Sequence, residues 1–386
     1  MLNEENTRYP PNALNVFGIR FAPLNVPIER RKQTLGTLIW LTFLPGSFIL
    51  SFLFLYLSYT RLVFLAYLGW IWFWDKAPEN GGRASDFVRR MTFWKWMASY
   101  FPMEIRKDAE LDPSRNYLVG YHPHGAVAIG AWVNFGTEAT GFSDIFPGIK
   151  LNLLTLLYAI LSTLPHVLHP VAKLTDPSPS ISTRSNFNIP IFRDIVLALG
   201  VASVSRKSIE HIFRQGPGHS VAIVIGGAQE CLYAKPHTIE LVLRKRLGFI
   251  KVAILNGALL VPALTFGENE AYDLFATNEE SIAWQIQQWC KRTWGWTMPA
   301  YFGRGAFNYS LGVLPHRRRI TTVMAKAVDP EEVVGHPIDP HSLTKEELLD
   351  ITQKVHQAYI DRIYEVWNKY KDELAPDRIK ELELVE

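Results

Sequence analysis

Cysteine is nearly missing from this chain of 386 residues, whose two thiols are Cys231 and Cys290. Two cysteines build neither a disulfide framework nor a four-thiolate metal site, and such sparing use suits a reducing, cytosol-facing compartment. The common chemical signatures are absent too. There is no G-x-S-x-G nucleophile elbow, no Walker A loop and no H-E-x-x-H pair. Gly303-Arg-Gly305 lacks the third glycine and the preceding strand of a dinucleotide fingerprint. His166 and His169 can share a helix face, but without a carboxylate or thiolate they suit polar contacts at a helix end better than a metal. No metal or bound cofactor is therefore expected. A net charge of +3 is too mild to point to nucleic acid. Residues 1–34 hold no apolar run, so no cleavable signal peptide is expected, and no internal repeat is visible.

What is abundant is apolar surface: 48% of residues are hydrophobic and 13% aromatic, unevenly spread. Residues 1–34 are polar and rich in proline, ending in Glu29-Arg-Arg-Lys32. Leu35 to Leu57 follows without a charge, roughly 23 residues, long enough to cross ~30 Å of hydrocarbon as a helix. Pro45-Gly46 should kink it. Leu62 to Trp74 is a second apolar run of roughly 13 residues, reaching only about 20 Å. Arg30, Arg31 and Lys32 precede the pair, and Lys76, Arg83, Arg89 and Arg90 follow it, so both flanks belong on the cytosolic side. A hairpin or re-entrant segment at 35–74 meets both conditions, with Arg61 near the bend and Trp70, Trp72 and Trp74 at headgroup level. A buried helical hairpin of a soluble protein is the alternative.

From Asp75 onward the composition is that of a globular domain. The spacing predicts an amphipathic helix over Phe87–Phe101, a strand over Tyr117–Tyr121 and a buried or membrane-contacting helix over Leu151–Leu168. A Ser/Pro-rich loop spans 173–186. Asn188–Asp194 leads into a helix that ends at Leu199 with Gly200 as its stop, a second helix is read from Ser205 to Phe213, and a strand over Ser220–Ile225. A basic helix over Leu241–Arg246 and strands over Phe249–Ile254 and Leu259–Phe266 follow. The remainder reads as an aromatic-rich helix at Trp284–Trp296, a strand at Ile320–Met324, and a long C-terminal helix opened by a Thr344/Glu347 capping box. Strands alternating with helices argue for an α/β domain with a largely parallel sheet.

Two strand ends carry reactive side chains. Tyr117-Leu-Val-Gly-Tyr-His-Pro-His-Gly125 is an apolar run stopped by Pro123 and Gly125, which presents His122 and His124 at a sheet edge. Imidazole titrates near neutrality and suits proton abstraction from a hydroxyl; the same histidines also suit a turn in which they merely satisfy backbone groups. The second strand runs into Gly226-Gly-Ala-Gln-Glu230, where glycine lets a substrate approach and Glu230 can orient a histidine ring. Glu230 equally suits a solvated helix start. Cys231 has nothing nearby to lower its pKa and reads as structural. Arg244-Lys-Arg246 with Lys251, and Arg317-Arg-Arg319 with Arg304, suit phosphates or anionic headgroups.

The order of blocks resembles the diacylglycerol acyltransferase 2 family, which includes monoacylglycerol and wax-alcohol acyltransferases. The blocks are Tyr100-Phe101-Pro102, His122-Pro-His-Gly125, Asn188-Ile-Pro-Ile-Phe-Arg193-Asp194, Gly226-Gly227-Ala-Gln-Glu230, Arg244-Lys245-Arg246-Leu-Gly-Phe249 and Val261-Pro-Ala-Leu-Thr-Phe-Gly-Glu-Asn269. Phe52-Leu53-Phe-Leu55 looks like the family's neutral-lipid motif. The resemblance implies a glycerolipid-acyltransferase-like fold: a mixed, largely parallel sheet flanked by helices, preceded by an N-terminal membrane hairpin. Its domains would be a polar cytosolic segment (1–34), the hairpin (35–74) and a cytosol-facing acyltransferase domain (75–386).

The resemblance also implies acyl transfer from acyl-CoA, as co-substrate, to the hydroxyl of diacylglycerol, monoacylglycerol or a fatty alcohol. The setting would be the endoplasmic reticulum membrane and the lipid-droplet surface, and homo-oligomers are compatible with it. The catalytic set would be His124, His122 and Glu230, with Asp194 as another candidate partner for the histidine, since the His-x-x-x-x-Asp spacing of related glycerolipid enzymes is missing. Substrate contacts would come from Tyr100, Phe101, Pro102, Gly125, Arg193, Asp194, Gly226, Gly227, Arg244, Lys245 and Arg246, and from Phe52, Leu53 and Leu55 of the lipid motif. Relative to the family pattern, residues from about 156 to 184 look like an insertion. A non-catalytic hairpin protein coating lipid droplets is the rival from another class; it gives no reason for the histidine- and glycine-bearing strand ends.

Overall fold

The computed structural model describes residues 14–16, 19–23, 25–155, 186–274, 301–309, 312–340 and 342–385. A short antiparallel strand pair, Leu14–Val16 with Ile19–Phe21, precedes helix α1 (Ile28–Tyr56) and, after the single extended residue Leu57, helix α2 (Ser58–Phe73). Then come α3 (Thr92–Tyr100), β1 (Glu104–Lys107), β2 (Tyr117–His122), α4 (Ile129–Gly136) and β3 (Lys150–Thr155). The second half supplies α5 (Phe192–Ala198), β4 (Ala202–Ser203), α6 (Arg206–Phe213), β5 (His219–Val224) and α7 (Gly248–Leu255). It ends with β6 (Leu259–Phe266), β7 (Thr321–Met324) and α8 (Lys345–Leu374).

The strands form one seven-stranded sheet in the order β1-β7-β6-β2-β5-β3-β4. The run from β6 to β4 is parallel throughout, whereas β7 pairs antiparallel with β6 and carries β1 beside it. This is the mixed, mostly parallel α/β arrangement that alternating strands and helices imply. Alternation along β2 divides the core: Tyr117, Val119 and Tyr121 pack with α3, α4 and α5 on one face, and Leu118 packs with α6, α7 and α8 on the other. All six residues of β2 are buried, so its sequence is a continuous apolar run rather than an alternating one.

Two helix starts are locally encoded. Ser205 accepts the Ser208 N–H at the start of α6, and Thr344 and Glu347 form the reciprocal capping box of α8. Gly200, with φ of +77°, closes α5.

Several sequence expectations change. Phe249–Ile254 lies inside helix α7, not in a strand: Phe249, Ile250, Ala253 and Ile254 are the buried set, at i, i+1, i+4 and i+5. The basic stretch Leu241–Arg246 is not helical; Glu240–Leu241 is a short strand and Arg244-Lys245 forms a turn. Phe87–Phe101 is broken into a single turn, Asp86–Arg89, and α3. Within Leu151–Leu168, residues 151–155 belong to β3, whose Leu151, Leu153 and Leu154 are all buried between neighbouring strands; the rest lies outside the described residues. So do the apparent insertion at 156–184 and the Trp284–Trp296 helix.

Helix α1 is long and apolar enough to cross a bilayer, and it runs through Pro45. At 1.5 Å per residue its 29 residues span roughly 43 Å, whereas the 16 of α2 reach about 24 Å. Against the domain, α1 presents small residues. A Cβ on Gly36 would lie 2.7 Å from the Phe93 carbonyl, so glycine permits the close crossing with α3, where Phe43 also meets the rings of Phe93 and Trp94. Arg317 secures the start of α1: its guanidinium donates to Gln33 Oε1 (2.5 Å), the Arg30 carbonyl (3.0 Å) and Thr34 Oγ1 (3.0 Å), and lies over the Tyr100 ring.

Candidate active site

Three neighbouring parallel strands, β5, β2 and β6, end at one edge of the sheet, where Tyr121 is in register with Val224 and His122 with Leu264. Such an edge is where open α/β sheets bind ligands. From these ends leave His122-Pro-His-Gly125, Gly226–Glu230 and Gly267-Glu268.

His122 is fully buried on the α8 face of β2. Its Nε2 lies 3.0 Å from the Tyr359 hydroxyl, which is 3.3 Å from the Gly120 carbonyl. A Cβ at Gly120 would fall 2.0 Å from that hydroxyl, so only glycine leaves room for the tyrosine. Burial pushes the His122 pKa down to about 3, and the ring is neutral at physiological pH.

His124 is only part-buried. Its Nδ1 lies 3.2 Å from the Gly125 carbonyl oxygen and 3.1 Å from the Cys231 sulfur. A carbonyl accepts hydrogen bonds only, so bonding to it puts the hydrogen on Nδ1 and the lone pair on Nε2, whereas donation from the Cys231 thiol to Nδ1 requires the reverse. Burial lowers the pKa of this ring as well, against the raising effect of the Gly125 carbonyl. Cys231 stays a thiol, because burial and then the Glu230 charge push its pKa up to about 12.

Glu230 meets the histidine turn, but not through the ring. Its Oε1 accepts the His124 backbone N–H (2.5 Å) and its Oε2 accepts the Val242 N–H (2.8 Å). The carboxylate folds back over Gly226, where an added Cβ would stand 2.2 Å from the Glu230 carboxyl carbon. The glycine thus serves the approach of Glu230 itself. Burial pushes the Glu230 pKa up to about 7 despite these two amides. Gly227, by contrast, has φ of +59° and open space at its Cβ position.

Arg246 leans on the same glycine loop, its Nη2 at 3.4 Å from the Gly226 carbonyl and 3.2 Å from Gln229 Oε1; Arg244, Lys245 and Arg246 are all exposed. In the other basic cluster, Arg317 is committed to α1 and Arg319 pairs with Glu104.

The other residues singled out from sequence gather elsewhere. Arg193 is buried and donates to Asp75 and to the Phe187 carbonyl. Asp194 accepts from the Tyr67 hydroxyl of α2 and pairs with Arg83, so this dipeptide docks α2 rather than orienting a histidine. Tyr100 and Phe101 are core residues, Tyr100 donating to the Pro315 carbonyl (2.6 Å), while Pro102 is exposed. Phe52 and Leu53 are exposed on α1, and Leu55 packs against the small α2 cluster. Beside them a cavity of about 810 Å³ opens between α1, α2, α3 and α5, lined by Phe43, Phe54, Phe64, Trp94 and Ile195, with Asp194 as its carboxylate.

Sequence reading gave no site role to Tyr359, Glu268 or Tyr301, whose hydroxyl donates to the Cys231 carbonyl (2.5 Å). Tyr359 stands 237 residues from His122 and looks like any apolar-face helix residue. Glu268 does carry a signal, since it lies within one of the matching blocks.

The family model described as diacylglycerol acyltransferase matches residues 52–169 and 172–385. Diacylglycerol O-acyltransferase 2A of Umbelopsis ramanniana is 42% identical over 95% of this chain and 94% of its own length. Diacylglycerol O-acyltransferase 2 of Dictyostelium discoideum is 36% identical over 92% and 97%, and acyl-CoA wax alcohol acyltransferase 1 of Mus musculus is 36% identical over 88% and 93%. No solved structure matches. Both the family match and the near full-length relatives lead to one assignment: the chain belongs to the diacylglycerol acyltransferase family.

Proposed function

We propose that this protein transfers a fatty acyl group from acyl-CoA to the free hydroxyl of diacylglycerol, making triacylglycerol, with His124 as the base. The observation that carries this reading is the placement of His124, a part-buried residue at the shared strand edge with Nδ1 3.2 Å from the Gly125 carbonyl oxygen; the hydrogen is assigned to Nδ1 and the accepting lone pair to Nε2. Nε2 removes the hydroxyl proton as the oxygen attacks the thioester carbonyl. The tetrahedral oxyanion collapses, the C–S bond breaks, and the CoA thiolate recovers the proton from the imidazolium. No acyl-enzyme forms. The Gly226 and Gly227 N–H groups are assigned to the oxyanion, and Arg244, Lys245 and Arg246 to the CoA phosphates. His122, buried and neutral, holds the turn with Tyr359.

The exposed apolar side chains of α1 and α2 support a membrane hairpin seated in the endoplasmic reticulum or on lipid droplets, with the basic flanks and the sheet facing the cytosol. Phe52, Leu53 and Leu55, the sequence neighbours of the cavity-lining Phe54, then meet neutral lipid. The glycerolipid-acyltransferase-like fold is part of the same proposal. Monoacylglycerol or fatty alcohol as acceptor is the second reading, favoured by the similarity to the wax-alcohol enzyme.

The test is purified protein in nanodiscs given acyl-CoA with each acceptor in turn. Diacylglycerol should be esterified fastest, and His124→Ala should lower that rate by ~10²–10⁴-fold. Near-normal turnover of H124A would end the assignment of the base, and no acyl-CoA consumption with any acceptor would end the enzymatic reading.

A further inference from the structure

The last of the blocks that carry the family resemblance, Val261 to Asn269, has no part in the chemistry above, yet its Glu268 accepts from three donors at the strand edge. It is 1% exposed. Oε1 accepts the Ile129 N–H (2.6 Å), and Oε2 accepts the Gly130 N–H (2.9 Å) and the Tyr121 hydroxyl (2.7 Å). Two of these donors open α4 and the third closes β2, so the carboxylate joins the two elements that flank the histidine turn. Glycines permit the approach. A Cβ at Gly125 would stand 2.6 Å from Glu268 Cγ, and one at Gly130 would stand 2.1 Å from the Tyr121 hydroxyl and 2.8 Å from Glu268 Oε2.

The turn between them is short. The His124 carbonyl accepts the Ala128 N–H (2.9 Å), and the next amide, Ile129, is already in the grip of Glu268. At the other end Glu230 holds the His124 N–H. The two carboxylates therefore seize the same turn from opposite strands, β5 and β6, with His124 between them.

We propose that Glu268 is a positioning residue for His124, holding the α4 limb of the turn while Glu230 holds the β2 limb, so that a pair of buried carboxylates sets the place of the imidazole. This rests on His124 being the base. As a carboxylate, Glu268 offers two oxygens without hydrogen to three donors, although burial pushes its pKa up to about 7; glutamine would turn an NH₂ group towards the Gly130 N–H or the Ile129 N–H.

The experiment uses the full-length enzyme in nanodiscs. In Glu268→Gln, kcat should fall about 10- to 100-fold while KM for acyl-CoA stays within about twofold, as displacement of a reacting group implies. Amide hydrogen exchange should rise in a peptide covering the turn from Tyr121 to Gly130 and stay unchanged in α8. Gly130→Ala, which forces a methyl group between the Tyr121 hydroxyl and the carboxylate, should reproduce both effects with Glu268 intact. The E230Q/E268Q double variant should lose less than the product of the single losses, because both act on one turn.

If E268Q keeps kcat per folded molecule, or if exchange rises equally across the core, Glu268 serves only the fold and the proposal fails. If E268Q does not fold, G130A decides by the same two readouts. Near-normal turnover in H124A would overturn the base assignment while leaving the exchange result intact, so the two failures are distinguishable.

Discussion

Helix α1 and the seven-stranded sheet are built on opposite rules, while α2 buries the apolar Phe64, Leu68 and Ile71 yet leaves other apolar side chains exposed. The buried residues of α1 are Gly36, Thr37, Ser47 and Ser51, while Ile49, Leu50, Phe52 and Tyr56 are exposed; on α2, Leu62, Val63, Trp72 and Phe73 are exposed. The sheet does the reverse, burying all of β2 and nearly all of β6, with charged residues left outside. In water the first arrangement wastes its apolar surface. In hydrocarbon it does not, because lipid tails are as apolar as leucine, and helix contacts there depend on small residues and close approach. On the proposed membrane seating, one chain answers to two solvents, and burial alone does not reveal which residues matter for stability.

The same substitution in the two regions breaks this comparison most sharply. Leu260→Asp places a charge at a position that is 0% exposed in β6, and should cost more than about 4 kcal/mol and leave no folded protein. Phe52→Asp, at a position 70% exposed, should leave the melting temperature in detergent almost unchanged. It should instead shift the protein towards the alkali-extractable fraction of membranes. Thermal melts and membrane fractionation on both variants measure this. If F52D melts like L260D, that face of α1 is core and the two-solvent account is wrong.

Buried charge in the sheet region gives the next largest effect. Glu230 has its pKa raised from 4.5 to about 7, with burial as the first cause. Between these values the native state keeps a proton that the unfolded chain has released, so this residue makes stability fall as pH rises, until the folded form also ionises. His122 acts with the opposite sign. Lowered from 6.5 to about 3, it stays unprotonated in the native state while the unfolded chain binds a proton, so its contribution rises with pH across that window. Glu230→Gln removes the falling component. Relative to wild type, E230Q should gain about 2 kcal/mol between about pH 5 and pH 7, on the order set by the shift. Denaturation in detergent at several pH values checks it; a constant difference would mean that Glu230 ionises normally.

The sequence showed the sheet better than the helices around it. β2, β5 and β6 were legible because each is a short apolar run closed by glycine or proline at a turn. α7 was not, because Phe249-Ile-Lys-Val-Ala-Ile254 is as rich in branched residues as a strand, and only the spacing of its buried members marks it as a helix. β3 went the other way: both of its faces are buried, so its leucines have no alternation and merge with the apolar stretch that follows. At the site, His122, His124 and Glu230 could be placed on one edge because parallel strands end together. That Glu230 grips a backbone amide rather than a ring was not legible, since it depends on the 2.5 Å placement of a side chain folded over Gly226. Tyr359 reaches His122 from the far end of the chain, a contact of tertiary packing alone.

The smallest effect tests where the bend between α1 and α2 lies. The last carbonyls of a helix have no partner within it, and in hydrocarbon water cannot supply one. Here the chain supplies its own. Thr60 Oγ1 donates to the Phe54 carbonyl (2.9 Å), Arg61 Nε to Leu55 (2.7 Å) and Arg61 Nη2 to Tyr56 (2.9 Å). A charge inside an apolar pair of helices thereby becomes the cap of the first, where the negative end of the helix dipole also favours it. Arg61→Leu strands two carbonyls and should cost about 1–3 kcal/mol where they are kept from water. Arg61→Lys, with one compact ammonium in place of a fork, should recover only part of that. The comparison between solvents is then direct: R61L should destabilise more in a bilayer than in a loose detergent micelle, where water reaches the bend. Equal losses in both would place the bend at the aqueous surface and shorten the part of α1 that belongs to the membrane.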